Sequence, residues 1–346
     1  MSSNILAVET SCDDTCAAVL RSDGAIGSNV IASQGLLHAR YGGVVPEVAA
    51  RRHLELTVAV IEDALERAGC SLDEIDTVAV TRGPGLIAAL LVGVSTAKGL
   101  AAARGLPLVG VNHLHGHVVA STLTLRGEDS VHTPRAEPIE PPYVCLVASG
   151  GHTFLARVDD LARYEIVGRT LDDAAGEAFD KGARLLGLPY PGGPEIDRLA
   201  RAGDRDALDF PVARPEGGSG TLDFSFSGVK TALLYAVRDL GAAEVERRRA
   251  DLAASYQRAI VTALLGRARE ALDAEGVRRF ALGGGVAANS ELRSGAAELC
   301  DELGVRLFSP PPELCTDNAA MIAGAARFLD PLRYPDYLTL DAAARP

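Results

Sequence analysis

Lysine is nearly missing from this chain. Only Lys98, Lys181 and Lys230 occur among 34 basic residues, so arginine carries almost all the positive charge. A mutational bias toward arginine accounts for most of this; the three lysines that remain are candidates for places where a compact ammonium is wanted, since it does not interchange with a guanidinium. A basic surplus is missing too. The formal net charge of −12 argues against a general nucleic-acid binder. It leaves room for local contacts at Arg51–Arg52 or Arg247–Arg249, although a solvated helix face is the plainer reading of the second run. No apolar run of about 18 residues escapes a charge, so no membrane span is expected. The start, MSSNILAVETSC, has neither the basic segment nor the long apolar stretch of a secretory signal. The six cysteines are scattered and form no matched spacing. Reduced thiols in a cytoplasmic protein are therefore expected, not a disulfide framework.

What is present suits two α/β domains: 346 residues, 47% of them hydrophobic, with 36 glycines. The chain also reads twice. NILAVE (4–9) and CAAVLR (16–21) are strands around the polar turn TSCDDT; YVCLVA (143–148) and FLARV (154–158) are strands around SGGHT. Later, TVAVT (77–81) leads through RGPG into a helix ending at Gly105. RFAL (279–282) leads through GGGVAANS into a helix ending at Gly304, as a C-cap requires. A short strand follows in each half, LPLVGV and VRLFSP, and then a further helix. The expected division is a first half at 1–125, a charged, proline-rich linker at 126–142, a second half at 143–330 and a tail at 331–346. Ligands of such folds sit at the carboxyl ends of strands, where all the glycine turns fall.

The last helix of the first half starts at Asn112 and carries HLHGH. His113 and His117 are one helical turn apart and share a face. The matching helix of the second half starts near Thr316–Asp317. A pseudo-twofold axis between the halves brings Asp317 to the histidines, giving two nitrogens, one oxygen and open positions, a donor set of catalytic type. An empty histidine pair, with Asp317 as an ordinary N-cap, is the alternative. His115 points away from a regular pair, and Gly116 weakens the helix.

Three turns are candidates for phosphate or nucleotide contact. ETSCDDT supplies hydroxyls with the adjacent carboxylates Asp13 and Asp14. ASGGHT supplies the backbone N–H groups of Gly150 and Gly151. LGGGVAAN opens a helix. None is a P-loop. Two segments are odd for loops: 171–200, rich in acids, and LDFSFSGVKTALL (222–234), with Ser225, Ser227 and Lys230 around a glycine.

ETSCDDT, YGGVVPE, GPGL, HLHGH, SGGHT, DDAAGEAFDK, YPGGP, DFSFSGVK, GGGVAAN and CTDN occur in this order. Together they resemble the TsaD family of tRNA threonylcarbamoyladenosine synthesis, once called O-sialoglycoprotein endopeptidases. The resemblance implies the actin-like ATPase fold shared with Hsp70 and sugar kinases, two duplicated halves around a central cleft. It implies transfer of threonylcarbamoyl from threonylcarbamoyl-AMP to N6 of the adenosine beside the anticodon, in tRNAs reading codons that begin with A. It implies a divalent metal, iron(II) ahead of zinc, on His113, His117 and Asp317, and an adenylate or ATP-type nucleotide in the cleft. It places substrate contacts on Val147, Ala148, Ser149, Gly150, Gly151, Asp180, Gly193, Asp197 and Asn289. Accessory subunits of the TsaB and TsaE type are implied as partners. The acids of the first turn, Asp13 and Asp14, are the candidates to orient or deprotonate the accepting nitrogen. Many bacterial members have Glu in place of His115 and in place of Asp14. HLHGH lacks the general-base Glu of a His-Glu-x-x-His peptidase, so the old name has little physical support. A small-molecule kinase, a carbamoyltransferase of the same fold, or a non-catalytic nucleotide-binding scaffold are the competing readings.

Overall fold

The computed structural model describes residues 4–125, 138–212 and 221–345. Most of the linker expected at 126–142 lies outside the described residues. Of its end, Ile139 is buried and its N–H donates to the Ser121 carbonyl at 3.2 Å.

Two compact units form. The first carries β1 (Ile5–Glu9), β2 (Asp14–Leu20), β3 (Ala25–Ser33), α1 (Gly35–Ala39), α2 (Pro46–Ala68), β4 (Thr77–Gly83), α3 (Ile87–Arg104), β5 (Leu108–Asn112), α4 (His113–Val119) and β6 (Thr124–Leu125). Its sheet runs β5-β4-β1-β2-β3-β6. The second carries β7 (Tyr143–Ala148), β8 (Thr153–Asp160), β9 (Arg163–Arg169), α5 (Ala175–Leu185), α6 (Gly192–Ala200), α7 (Ser227–Leu240), α8 (Ala242–Arg247), α9 (Arg249–Glu275), β10 (Arg279–Gly283), α10 (Ser290–Leu303), β11 (Arg306–Phe308) and α11 (Pro312–Cys315). Its sheet runs β11-β10-β7-β8-β9. Strand for strand this repeats the order of the first five strands of the other sheet. In both, a hairpin strand pairs antiparallel (Val8 with Ala17, Val147 with Phe154) and the later strands add in parallel. The duplication read from the sequence is therefore a duplication of topology.

The parallel strands of the first sheet are apolar along their middles because both of its faces are covered. Leu6, Val8, Val78 and Val80 share a core with Val60 and Ile61 of α2 and Val94 of α3. α3 is the one described helix long and apolar enough, by length and composition, to cross a membrane. It carries Lys98 and Arg104, and it packs on β4 and α2 with Ala89, Gly93, Ala97 and Ala101 buried.

The chain end departs from the expected halves. α12 (Ala319–Ala326) and the segment Asp317–Pro346 belong to the first unit, not to a second half and a tail. All eight residues of α12 are buried, so the helix needs apolar partners on every side. It finds them on α4 and on β1 and β2. Beyond it, Leu332 exchanges both backbone hydrogen bonds with Leu108 at 2.9 Å, and Tyr337 and Leu340 join the first unit's core. Gly116 is explained by the same packing. A Cβ there would lie 2.9 Å from Met321 Cγ and 3.1 Å from Ile322 Cδ1, so only glycine lets α4 and α12 approach this closely.

The lysines turn out to be clasps. Lys98 donates to the Leu338 carbonyl at 2.9 Å, tying down the chain end. Lys181 and Lys230 grip the two oxygens of Asp173 at 2.8 and 2.7 Å. Neighbouring Asp172 accepts from the Ser227 hydroxyl at 2.8 Å, from the Phe226 N–H at 2.7 Å and from the Ser225 hydroxyl at 2.5 Å. The two odd segments thus hold one another. Arg247, Arg248 and Arg249 each pair with an acid three residues away in sequence, Glu244, Asp251 and Glu246, the pattern of a solvated surface.

Candidate functional site

The histidine helix starts where the sequence places it. Asn112 is its N-cap, its side chain accepting from Leu114 N–H at 2.8 Å. The helix of the chain end starts one residue later than expected. Its N-cap is Asn318, which accepts from Met321 N–H at 2.9 Å. Asp317 is therefore released from capping. Its Oδ1 lies 3.4 Å from His113 Nε2 and 3.3 Å from His117 Nε2. The carboxylate reaches the histidines from the end of the chain, inside the first unit, and not from the second half.

The three ligand atoms of His113, His117 and Asp317 lie within 4.8 Å of one another. The two rings meet edge to face, 4.8 Å between centroids. Both nitrogens of His117 are buried without a hydrogen-bond partner, which is costly for an imidazole unless something else takes the lone pair. Burial lowers the proton affinity of His117, favouring the neutral ligand form. Burial works against a charged His113 as well, but Asp317 and Glu9 outweigh it and raise that residue well above its usual range. The same contact with His113 holds Asp317 well below the usual carboxylate range despite its desolvation. Two imidazoles and a carboxylate around one point fit a divalent ion of the iron or zinc kind. His115 is not part of this group. Its Nε2 donates to the Leu161 carbonyl at 2.8 Å and its ring is buried.

The acid turn adjoins the histidines. Ser11 Oγ lies 3.2 Å from His113 Nδ1. Asp14 opens β2, and its Oδ1 is buried without a partner. Desolvation raises Asp14 to about 6, with Asp13, Asp317 and Glu9 adding to the effect against a hydrogen bond from Ser33. Desolvation raises Asp13 too.

Two residues missed in the sequence hold this turn. His53, in the middle of α2, is fully buried. Its Nε2 donates to the Cys12 carbonyl at 3.0 Å and its Nδ1 accepts from the Thr15 hydroxyl at 2.8 Å. It thus grips both flanks of Asp13–Asp14. Nothing in its local spacing signals this, because its partners lie 41 and 38 residues away. Glu9 is the other. It is wholly buried at the end of β1, against His113. A signal existed there: a lone charge closing an apolar strand.

The second unit holds a cavity of about 490 Å³ lined by Gly150, Asp180, Gly193, Asp197 and Asn289, five of the nine residues expected to touch substrate. Phe179, Tyr190, Pro191 and Val286 give it apolar walls. Val147 and Ala148 are buried in β7, Ser149 closes its turn by accepting from His152 N–H at 3.1 Å, and Gly151 is exposed. Polar groups at the cavity are already engaged. Asp180 accepts from Gly192 N–H at 2.7 Å. Asp197 accepts from the Ser290 hydroxyl at 2.7 Å and pairs with Arg201 at 3.0 Å. Asn289 caps α10 and donates to Gln257 at 2.7 Å. Gly284 lets the 283–289 loop run against β7. With φ +83° and the Ala148 carbonyl where a Cβ would project, no other residue fits. Of the three glycine or hydroxyl turns, two therefore border this cavity and the third serves the histidine cluster.

A family model described as TsaD, tRNA N6-adenosine threonylcarbamoyltransferase, matches residues 25–324. The protein of that name from Symbiobacterium thermophilum is 53% identical over 325 residues, 94% of this chain and 91% of its own. The one from Geobacter sp. (strain M21) is 52% identical over 319 residues, 92% of this chain and 89% of its own. Among solved structures, T. kodakarensis HypF superposes with a TM-score of 0.60 at 16% identity, covering 94% of this chain and 48% of that one. This likeness bears on the fold, the actin-like ATPase fold with its repeated sheets. With relatives this similar over nearly the whole chain, the protein belongs to the TsaD family.

Proposed function

We propose that this protein transfers the threonylcarbamoyl group of threonylcarbamoyl-AMP to N6 of the adenosine beside the anticodon in tRNAs reading codons that begin with A. Family membership supports the reaction. The observation that carries the division of labour is the meeting of Asp14, an acid raised to about 6, with the His113–His117–Asp317 cluster in one unit. The adenosine nitrogen attacks the carbamoyl carbon, the new C–N bond forms, and the bond to the adenylate oxygen breaks, releasing AMP. Asp14 takes the N6 proton, since a carboxylate raised to about 6 is ionised at neutral pH yet basic enough to accept it. Asp13 orients the same nitrogen. His113, His117 and Asp317 would hold a divalent ion, iron(II) or zinc, which when bound would supply Lewis acidity.

The cavity of the second unit takes the adenylate. Its apolar walls suit the base, and the turn at Gly150 and the start of α10 suit an anionic group. No observation favours the kinase or scaffold readings; a buried, partly unpartnered acid serves proton transfer, which a scaffold does not need. tRNA as substrate places the work in the cytoplasm. Because the net charge of −12 opposes tRNA binding, accessory subunits of the TsaB and TsaE type complete the enzyme. α2 and α3 pack side by side and leave Leu54 and Val58, Ile87 and Leu91 exposed, apolar pairs one turn apart that suit such a partner. Nucleoside analysis of tRNA from depleted cells tests the function: undiminished threonylcarbamoyladenosine refutes it. Robust multiple turnover by the single chain, given tRNA and threonylcarbamoyl-AMP, refutes the need for partners.

A further inference from the structure

Glu9 is the least expected group in the first unit. It ends a strand whose five residues are all buried, and none of its own surface is exposed. A carboxylate in such a place is expensive unless donors surround it. Three do, each from a different part of the chain. The Ser11 backbone N–H donates to Oε1. The Thr81 hydroxyl of β4 donates to Oε2 at 2.5 Å, and His113 Nδ1 donates to the same oxygen at 2.9 Å.

We infer that Glu9 is a positioning residue for the metal-binding face of His113. The inference rests on the reading that His113, His117 and Asp317 hold a divalent ion. An ionised carboxylate only accepts hydrogen bonds, so the proton of the neutral ring belongs on Nδ1. Nε2 then presents its lone pair toward Asp317 Oδ1, 3.4 Å away. A divalent ion between them would take the place of the proton that Nε2 otherwise shares with Asp317. Glu9 also adds a second negative charge beside that of Asp317, so the buried group matches a 2+ ion in charge. Fixing a ligand's tautomer through its other ring nitrogen is a recurrent device in metal centres. Here it has a further consequence. Ser11 lies in the acid turn, so one carboxylate anchors both the ligand helix and the segment leading to Asp13 and Asp14.

Glu9→Gln tests this. The amide keeps the volume, but its NH₂ can donate to His113 Nδ1 and shift the ring proton to Nε2, masking the ligand atom. The probe is zinc alone, titrated into the full-length protein against a chelator of known affinity. Affinity should fall by about 10- to 100-fold in the variant. The visible spectrum of the cobalt-loaded protein should change, which a merely structural role would not cause. Thr81→Val removes one donor to Glu9 without touching His113, and its loss should be smaller but in the same direction. Should Glu9→Gln not fold, Glu9→Asp keeps the charge but falls short of the ring and should weaken zinc binding alike. Unchanged zinc affinity and cobalt spectrum in a folded Glu9 variant overturn the inference. A wild-type protein that takes up no zinc, cobalt or iron overturns the metal reading itself, a distinct outcome.

Discussion

The two units treat their buried polar atoms in opposite ways. In the first, the polar atoms are close, buried and incompletely partnered: His117 has no hydrogen-bond partner, Asp14 Oδ1 has none, and Asp317 faces two ring nitrogens. In the second, a cavity of about 490 Å³ is walled by apolar side chains, while Asp180, Asp197 and Asn289 are already engaged with the protein. Unpartnered buried groups cost stability, so a fold keeps them where they do chemistry. Satisfied ones give a rigid shape. On the proposed function this contrast separates reactivity from recognition, and substitutions in each unit should fail in different ways.

The largest effect belongs to the cluster. His113→Ala and His117→Ala should each lose bound metal while the protein stays folded; elemental analysis showing full occupancy in either contradicts the assignment. Asp317→Asn should lower metal affinity by roughly 10- to 100-fold or more with little change in melting temperature, because Asn318 is the cap and remains. Asp14→Asn comes next and should move activity and stability apart. Transfer should drop by about 10²- to 10⁴-fold, the usual contribution of a positioned base. Its stability should rise near neutral pH. Asp14 is raised from 3.8 to about 6, so the folded state holds this proton more tightly than the unfolded chain. The stability from the protonated form is present at low pH, is lost as pH rises from about 4 to about 6, and stays lost above. The penalty is about 3 kcal/mol at most, by the usual conversion. A denaturation series across that window should show wild type and Asp14→Asn converging at low pH; parallel curves contradict the assignment. Activity of the wild type should fall as pH drops through about 6, where Asp14 takes up its proton.

In the second unit the effects should be smaller and should spare the metal. Asn289→Ala removes the α10 cap, at a cost of about 1 kcal/mol, and should weaken binding of an adenylate analogue while zinc affinity is unchanged. Loss of metal from this variant erases the distinction between the units. The smallest effect is that of Lys230→Ala, which breaks one ion pair to Asp173 and leaves the other through Lys181. Partly exposed pairs contribute about 0–1 kcal/mol each, so melting should shift by a few degrees at most, with transfer activity close to wild type.

Much of this was legible in order and spacing. Local rules placed the strands at Ile5–Glu9 and Tyr143–Ala148, the glycine ends of α3 and α10, and the Asn112 cap, because hydrogen bonds and side-chain periodicity there close within a few residues. The halves were legible as repeats, and the strand orders bear that out. The chain end was not. An apolar run such as that of α12 says that it will be buried, never in which unit, since burial free energy has no direction.

The sequence by itself determined the family, the repeated α/β architecture and the pair of imidazoles one turn apart. Each depends on neighbours along the chain. Tertiary structure alone decided that α12 returns to the first unit, that Asn318 and not Asp317 caps it, and that His115 turns to Leu161. It also decided that His53 and Glu9 stand behind the acid turn and the ligand helix. These are contacts between residues far apart in sequence, and packing α4 against α12, and α2 against β2, is what brings them together.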